Sequence, residues 1–156
     1  LSFANGILAS PDNTVIYVNE MLGGRFNTYE RNLTTGALTL KQSYQLGIGM
    51  DNIALDQDGN VLVATQPNFI KLAIHLENNA IQTPSEVYSL TFNGTKLVTG
   101  EVVFGDSGNR VSGATTVARY KSEFILSGLN NPEMKICYIR EKPQALKVTN
   151  EYSSDL

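Results

Sequence analysis

The sequence predicts an all-β fold of about three β-propeller blades, on three observations. A strand, turn, strand pattern recurs. Asn5-Gly6-Ile7-Leu8-Ala9-Ser10-Pro11-Asp12-Asn13-Thr14-Val15-Ile16-Tyr17-Val18 lies over Asp51-Asn52-Ile53-Ala54-Leu55-Asp56-Gln57-Asp58-Gly59-Asn60-Val61-Leu62-Val63-Ala64 without a gap, at an offset of 46 residues from Asn5 to Asp51. A looser third copy, Thr115 to Leu126, is offset by 64 from Asp51 to Thr115, the excess falling in an insertion from Gln66 to Thr83. A repeat of roughly 40 to 50 residues holding several short strands is the sequence form of a propeller blade. The second observation is that the first two copies open on short polar signatures, Phe3-Ala4-Asn5-Gly6 and Met50-Asp51-Asn52, at equivalent points. The third is turn chemistry between apolar runs, at Pro11-Asp12-Asn13, Asp58-Gly59, Asn93-Gly94 and Asn130-Asn131-Pro132.

Taken in order, the alternating or β-rich runs predict strands at Ile7–Ala9, Val15–Asn19, Arg25–Glu30 and Leu38–Tyr44 for the first blade. Ile53–Leu55, Val61–Ala64, Glu86–Phe92 and Leu97–Phe104 form the second. Thr115–Tyr120, Phe124–Ser127 and Met134–Ile139 form the third, which stops one strand short. The blades are placed at about 3–49, 50–110 and 111–141, with 142–156 an extended tail because Pro143 and mixed polar residues follow Glu141. Three blades leave unpaired sheet edges at both ends, so the ring needs completion.

Composition agrees with a packed β domain: 42% of residues are hydrophobic and 17% charged, which rules out a disordered tail. A net charge of −3 with scattered Lys and Arg gives no basic stripe for nucleic acid. No apolar run approaches the roughly 20 residues of a membrane span. Leu1 to Ser10 lack the basic start and apolar stretch of a signal peptide, so the chain is expected to begin inside a domain, as a fragment or processed chain.

Oxygen-bearing side chains at the starts of successive repeats suggest a metal site on a shared axis, since calcium takes about six to eight hard oxygen ligands. The competing reading is that Asn5 and Asp51 satisfy backbone groups at strand starts. Other singular residues carry no chemistry. His75, in the insertion, reads as a surface or strand histidine. Asp56 and Asp58 lack the downstream Glu of an EF-hand and read as a hairpin turn. Gly105-Asp106-Ser107-Gly108 lacks the Lys-Ser/Thr ending of a phosphate loop. Sequons occur at Asn32-Leu33-Thr34 and Asn93-Gly94-Thr95.

The opening Phe3-Ala4-Asn5-Gly6 with Ser10-Pro11-Asp12 and Ile16-Tyr17-Val18 resembles the paraoxonase/arylesterase family, within the gluconolactonase-like six-bladed propellers. Asp51-Asn52-Ile53, Gln66-Pro67-Asn68 with Lys71-Leu72, Pro84-Ser85-Glu86-Val87 and Gly108 to Tyr120 agree in the same order. The resemblance covers residues 3 to about 139 and is to the C-terminal half of the family. It implies half of a six-bladed β-propeller, completed by another chain or by a missing N-terminal half.

That resemblance further implies a Ca²⁺-dependent hydrolase of lactones and aryl esters. Asn5, Asp51 and Asn52 match calcium ligands; Asp51 is also the candidate general base or nucleophile. The family's remaining ligands, a Glu and another Asn, belong to the N-terminal half, as do a His pair and a second, structural calcium. Where the family commonly has His before Pro-Asn, this chain has Gln66, which puts the familiar substrate range in question. Gln66, Phe69 and the Leu129-Asn130-Asn131 loop are candidate pocket wall. Cys137 falls where the family has the second Cys of a disulfide to the N-terminal strand, which implies an interchain bond to an N-terminal half-propeller chain and, with the sequons at Asn32 and Asn93, a secreted protein. The alternatives are a non-hydrolytic propeller, strictosidine-synthase-like or a binding module, and a homodimer of half-propellers.

Overall fold

The computed structural model describes residues 1–131, 133–138 and 144–153. Three antiparallel sheets follow one another along the chain. The first is built from β1 (Ala4–Ala9), β2 (Val15–Glu20), β3 (Arg25–Arg31) and β4 (Leu38–Gln45). The second contains β5 (Met50–Leu55), β6 (Val61–Thr65), β7 (Ser85–Asn93) and β8 (Lys96–Asp106), and the third β9 (Ala114–Tyr120), β10 (Glu123–Gly128) and β11 (Lys135–Tyr138). Each sheet is a meander, and β5 lies against both β1 and β9. The first strands of the three sheets therefore stand side by side, and the sheets radiate from them. This is a partial propeller, and among the described residues the ring is not closed.

The turns form for the reasons their residues predict. Asp12 Oδ1 accepts from Ser10 Oγ and from the N–H of Thr14, and Asn13 takes the left-handed conformation at φ 61°. Asp56 Oδ1 accepts from the N–H groups of Asp58 and Asn60, bending the chain through Gly59 at φ 82°. The hairpin reading of Asp56 and Asp58 holds. The gap-free repeat, however, slips at this turn. The first hairpin closes Ser10 N–H on Val15 O, the second Asp56 N–H on Asn60 O, one residue tighter. A one-residue slip turns every following side chain to the other face, so Val15 and Tyr17 correspond in facing to Leu62 and Ala64, not to Val61 and Val63.

Two cores fill the spaces between sheets. Val15, Tyr17, Phe26 and Tyr44 of the first sheet meet Val61, Val63, Tyr88 and Leu90 of the second. Phe92 inserts among the aromatic rings, 4.9 Å from Tyr17 and 5.6 Å from Phe26, centroid to centroid. On the other side, Leu62, Ala64 and Val87 meet Val117, Phe124, Leu126 and Cys137 of the third sheet. The middle sheet is covered on both faces, which is why all five residues of β6 are buried. The third sheet is covered on one face only. Its other face presents the cross-strand row Ala118, Ile125, Ile136, with Tyr120 and Tyr138 beside it, all exposed.

Two elements depart from expectation. The insertion carries a helix, α1 (Phe69–Glu77), where no helix was predicted. Asn68 caps it, its Oδ1 accepting from Lys71 N–H at 2.9 Å, and Leu72 and His75 share the buried face at i, i+3 spacing. His75 is accordingly buried rather than on the surface or in a strand, and its ring nitrogens bond Ile81 O at 2.7 Å and Leu129 O at 3.3 Å. The tail is extended as expected, but it is paired. Its segments β12 (Gln144–Ala145) and β13 (Thr149–Ser153) add to the outer edges of β8 and β4. Leu146 and Val148 between them pack against the first core. Unpaired outer edges bind extended chain readily. Residues 139–143, including the expected strand end at Ile139, lie outside the described residues.

The second and third sheets are also pinned by charge. Arg119 Nη1 of β9 lies 2.7 Å from Asp56 Oδ2 and 3.3 Å from Asp58 Oδ2. Burial pushes the Asp56 carboxyl up, but the Asn60 amide and N–H, Arg119 and the Asp58 N–H outweigh it and hold the group below its ordinary 3.8. A carboxyl with a depressed folded pKa contributes stability that is complete above the unfolded value and lost as pH falls through the folded one. Asp56→Ala is therefore expected to cost about 2 kcal/mol at pH 7, the scale for losing hydrogen bonds to a charged group, because Arg119 keeps Asp58 as a partner. In urea denaturation the gap between parent and variant should narrow steadily as pH is taken below 3.8.

Candidate metal centre at the inner strands

Each inner strand is irregular at its first turn of pairing. In the first sheet Ala4 pairs with Glu20 and Ile7 with Val18, so Asn5 and Gly6 together oppose Asn19. In the second, Met50 pairs with Thr65 and Ile53 with Val63, so Asp51 and Asn52 oppose Ala64. In the third, Thr115 is the extra residue between Ala114 and Thr116, whose partners Gly128 and Ser127 are consecutive. Two residues against one is a β-bulge, which bends the strand and re-aims the side chains it carries. The polar signatures are thus bulges, repeated at one level around the axis.

Short contacts lock these bulges together. Fully buried Asn19 accepts from Gly6 N–H at 2.9 Å and donates from Nδ2 to the Asp51 carbonyl. Asn52 Nδ2 donates to Thr115 O at 2.8 Å, joining the second blade to the third. Gln66, also fully buried, donates from Nε2 to Asp51 Oδ2 and to Ala114 O, both at 2.9 Å. Asn5, half-buried, donates from Nδ2 to Met21 Sδ at 3.6 Å, and its amide also reaches the Asp51 carboxyl.

Asp51 is the centre of this cluster. It is buried, and none of the ion pairs among the described residues involves it. Burial raises its carboxyl above the ordinary aspartate value, against the hydrogen bonds from Gln66, Asn5 and the Asn52 N–H. A buried carboxylate without a counter-charge is costly, and a cation would relieve it. The donor set would suit a hard cation: one carboxylate, and the amides of Asn5 and Asn52, whose N–H ends are engaged and whose carbonyl oxygens would be the ligating ends. Gln66 Oε1 is buried with no partner. Among the described residues no three His, Cys, Asp or Glu converge as a metal cluster; here amides stand in their place.

The structure thus brings the Asn5 and Gln66 amides to the Asp51 carboxyl, which the Asn52 backbone N–H also meets, while the Asn52 side chain is turned to Thr115 O. Phe69 follows Gln66 on the same connection as the half-buried first residue of α1. Asn130 is exposed, and its amide is spent on Asn79 Oδ1 at 2.8 Å, tying the β10–β11 loop to the insertion instead of to Asp51. Cys137 is a free thiol buried in the second core, with burial pushing its pKa up. The sequon asparagines Asn32 and Asn93 are both exposed at outer hairpins. Sequence reasoning missed Asn19 and the bond from Gln66 to Asp51. The available signal was an amide ending each of two apolar strands, Val15–Val18 and Val61–Thr65.

The fold and site define a class: a partial β-propeller whose inner-strand bulges gather one carboxylate and several amides at the axis. The arylesterase sequence profile matches residues 1–137, and the chain belongs to the arylesterase family. It is 29% identical over 125 residues to the human serum paraoxonase/arylesterase 1, and 28% identical over 127 residues to the human serum paraoxonase/arylesterase 2. The serum paraoxonase/arylesterase 2 of Canis lupus familiaris is 29% identical over 127 residues. These matches cover 80 to 81% of this chain and 34 to 35% of the relatives, so the chain spans about a third of their length. No helix among the described residues is long and apolar enough to cross a membrane.

Gly6 is where the bulges come closest. A Cβ there would overlap Ile53 Cγ1 and sit 2.6 Å from Asp51 O and 2.9 Å from Asn19 Nδ2. Gly6→Ala is expected to force β1 away from β5, costing about 1–3 kcal/mol, the range for overpacking. Amide hydrogen exchange should quicken along both strands, while the outer strands β3 and β7 keep their protection.

Proposed function

We propose that this chain is one part of a calcium-dependent hydrolase of lactones and aryl esters, active when the rest of the propeller completes the ring. The observation that carries this reading is Asp51, a buried carboxylate without a counter-charge among the described residues, held by neutral amide side chains on the inner strands of an arylesterase-family propeller. When bound, calcium polarises the substrate carbonyl and stabilises the oxyanion that develops as water adds. Asn5, Asp51 and Asn52 would hold it. Three residues do not fill a shell of about six to eight oxygens, so the other ligands come from outside this chain.

Asp51 is the general base of this reading. With Oδ2 held by Gln66, its other oxygen takes the proton of the attacking water. Asn52, anchored through its N–H end on Thr115 O, orients the substrate on the exposed side of the cluster. Gln66, an amide, neither gives nor takes a proton at working pH. Proton transfer in this half of the site therefore falls to Asp51 alone. The relatives' name, serum paraoxonase/arylesterase, supports both the reaction class and an extracellular setting.

The partner is an N-terminal half-propeller chain. Its blades would cover the exposed row Ala118, Ile125, Ile136, and its cysteine would pair with Cys137, which sits on β11 at the outer edge of the third sheet. Asn32 and Asn93 would carry glycans on the secreted protein.

Two measurements test this. Lactone hydrolysis by the assembled protein should be lost on chelation and restored by calcium. Asp51→Asn should lower it about 10²–10⁴-fold, the range for a general base; activity that survives chelation sinks the calcium reading. Intact mass with and without reductant should release a second chain, whereas 17.0 kDa in both conditions would remove the interchain disulfide.

A further inference from the structure

We propose that Gln66 is the positioning residue for the Asp51 carboxylate, an inference that rests on the calcium reading of the same cluster. Gln66 is fully buried at the end of β6, a strand otherwise buried throughout. Its Nε2 divides its two hydrogens between Asp51 Oδ2 and Ala114 O, each at 2.9 Å. A carboxylate and a backbone carbonyl both accept, so the nitrogen end of the amide is fixed toward them. Oε1 is left buried and unpaired. A native core seldom leaves such an acceptor orphaned, and here the orientation that orphans it is the one that holds Asp51.

The anchor is rigid. The Gln66 N–H donates to Gly49 O at 2.8 Å, and Gly49, at φ 86°, lies so close to the Gln66 carbonyl that a Cβ there would overlap it. Ala114, the other end of the clamp, sits beside the Thr115 bulge of β9. Gln66 therefore sets one Asp51 oxygen against both the second and the third blade. A neutral amide does this without neutralising the carboxylate. Lys or Arg in its place would satisfy Asp51 and compete with a cation for its charge. A neutral imidazole also offers an N–H donor, so His at this position could hold Asp51 in the same way.

The test is a calcium titration of the assembled protein by calorimetry. Gln66→Met keeps an unbranched side chain of similar size and removes the donor; calcium affinity should fall about 10–100-fold, the usual effect of losing a partner that orients a ligand. Gln66→His should recover most of that loss, which a merely structural defect would not allow. Thr65→Val, at the neighbouring fully buried residue whose Oγ1 also lacks a partner, should bind like the parent. A Gln66→Met protein that binds calcium as tightly as the parent overturns the positioning role and leaves the calcium reading standing. A parent that binds no calcium overturns both. If Gln66→Met does not fold, NMR of the parent decides. The Gln66 side-chain amide signals should shift on addition of calcium chloride, and signals that stay in place at saturation defeat the proposal.

Discussion

The close approach of β1, β5 and β9 is the constraint on which the rest of this molecule depends. Sheets that radiate from an axis can pack face to face only if their inner strands nearly touch, and regular strands with full side chains cannot come that close. Here the approach is made at three bulges. Gly6 removes the side chain that would collide with Ile53 and the Asp51 carbonyl. Asn19, Asn52 and Gln66 then supply the donors that backbone pairing cannot, because neighbouring inner strands belong to different sheets. The same bulges that permit packing carry Asn5, Asp51 and Asn52, so architecture and candidate chemistry have a common origin.

Outward from that axis, stability comes from two separate cores. Period-two alternation in β6 sends Val61 and Val63 to one core and Leu62 and Ala64 to the other, so the middle sheet couples its neighbours. The aromatic group around Phe92 fills the first junction from within, and the Asp56–Arg119 pair reinforces the second. The tail answers a different need. By adding β13 to β4 and β12 to β8 it covers two outer edges that would otherwise offer unpaired backbone to other chains.

The site is built around a charge that the described residues do not balance. Asp51 is surrounded by neutral amides, which orient it without cancelling it. An arrangement of this kind favours a bound cation over an internal ion pair. The charge and its amide neighbours come from the inner strands of two blades and from the end of β6.

Much of the architecture was legible in the amino-acid sequence alone. Strand runs, turn residues and the repeat of Asn5-Gly6 at Asp51-Asn52 depend on local chemistry, which the order of residues states directly. The one-residue slip between Val15–Val18 and Val61–Ala64 was not legible, because turn length is settled by whether Ser10 bonds Val15 and Asp56 bonds Asn60. Nor was α1, whose apolar residues resemble a strand until Asn68 caps the turn and Leu72 and His75 find a common buried surface. The partners of Gln66 and Asn19 were decided only in three dimensions. An amide at the end of an apolar strand declares that it will be buried and must be bonded, but the acceptors, Ala114 O for one and the Asp51 carbonyl for the other, arrive from blades far along the chain.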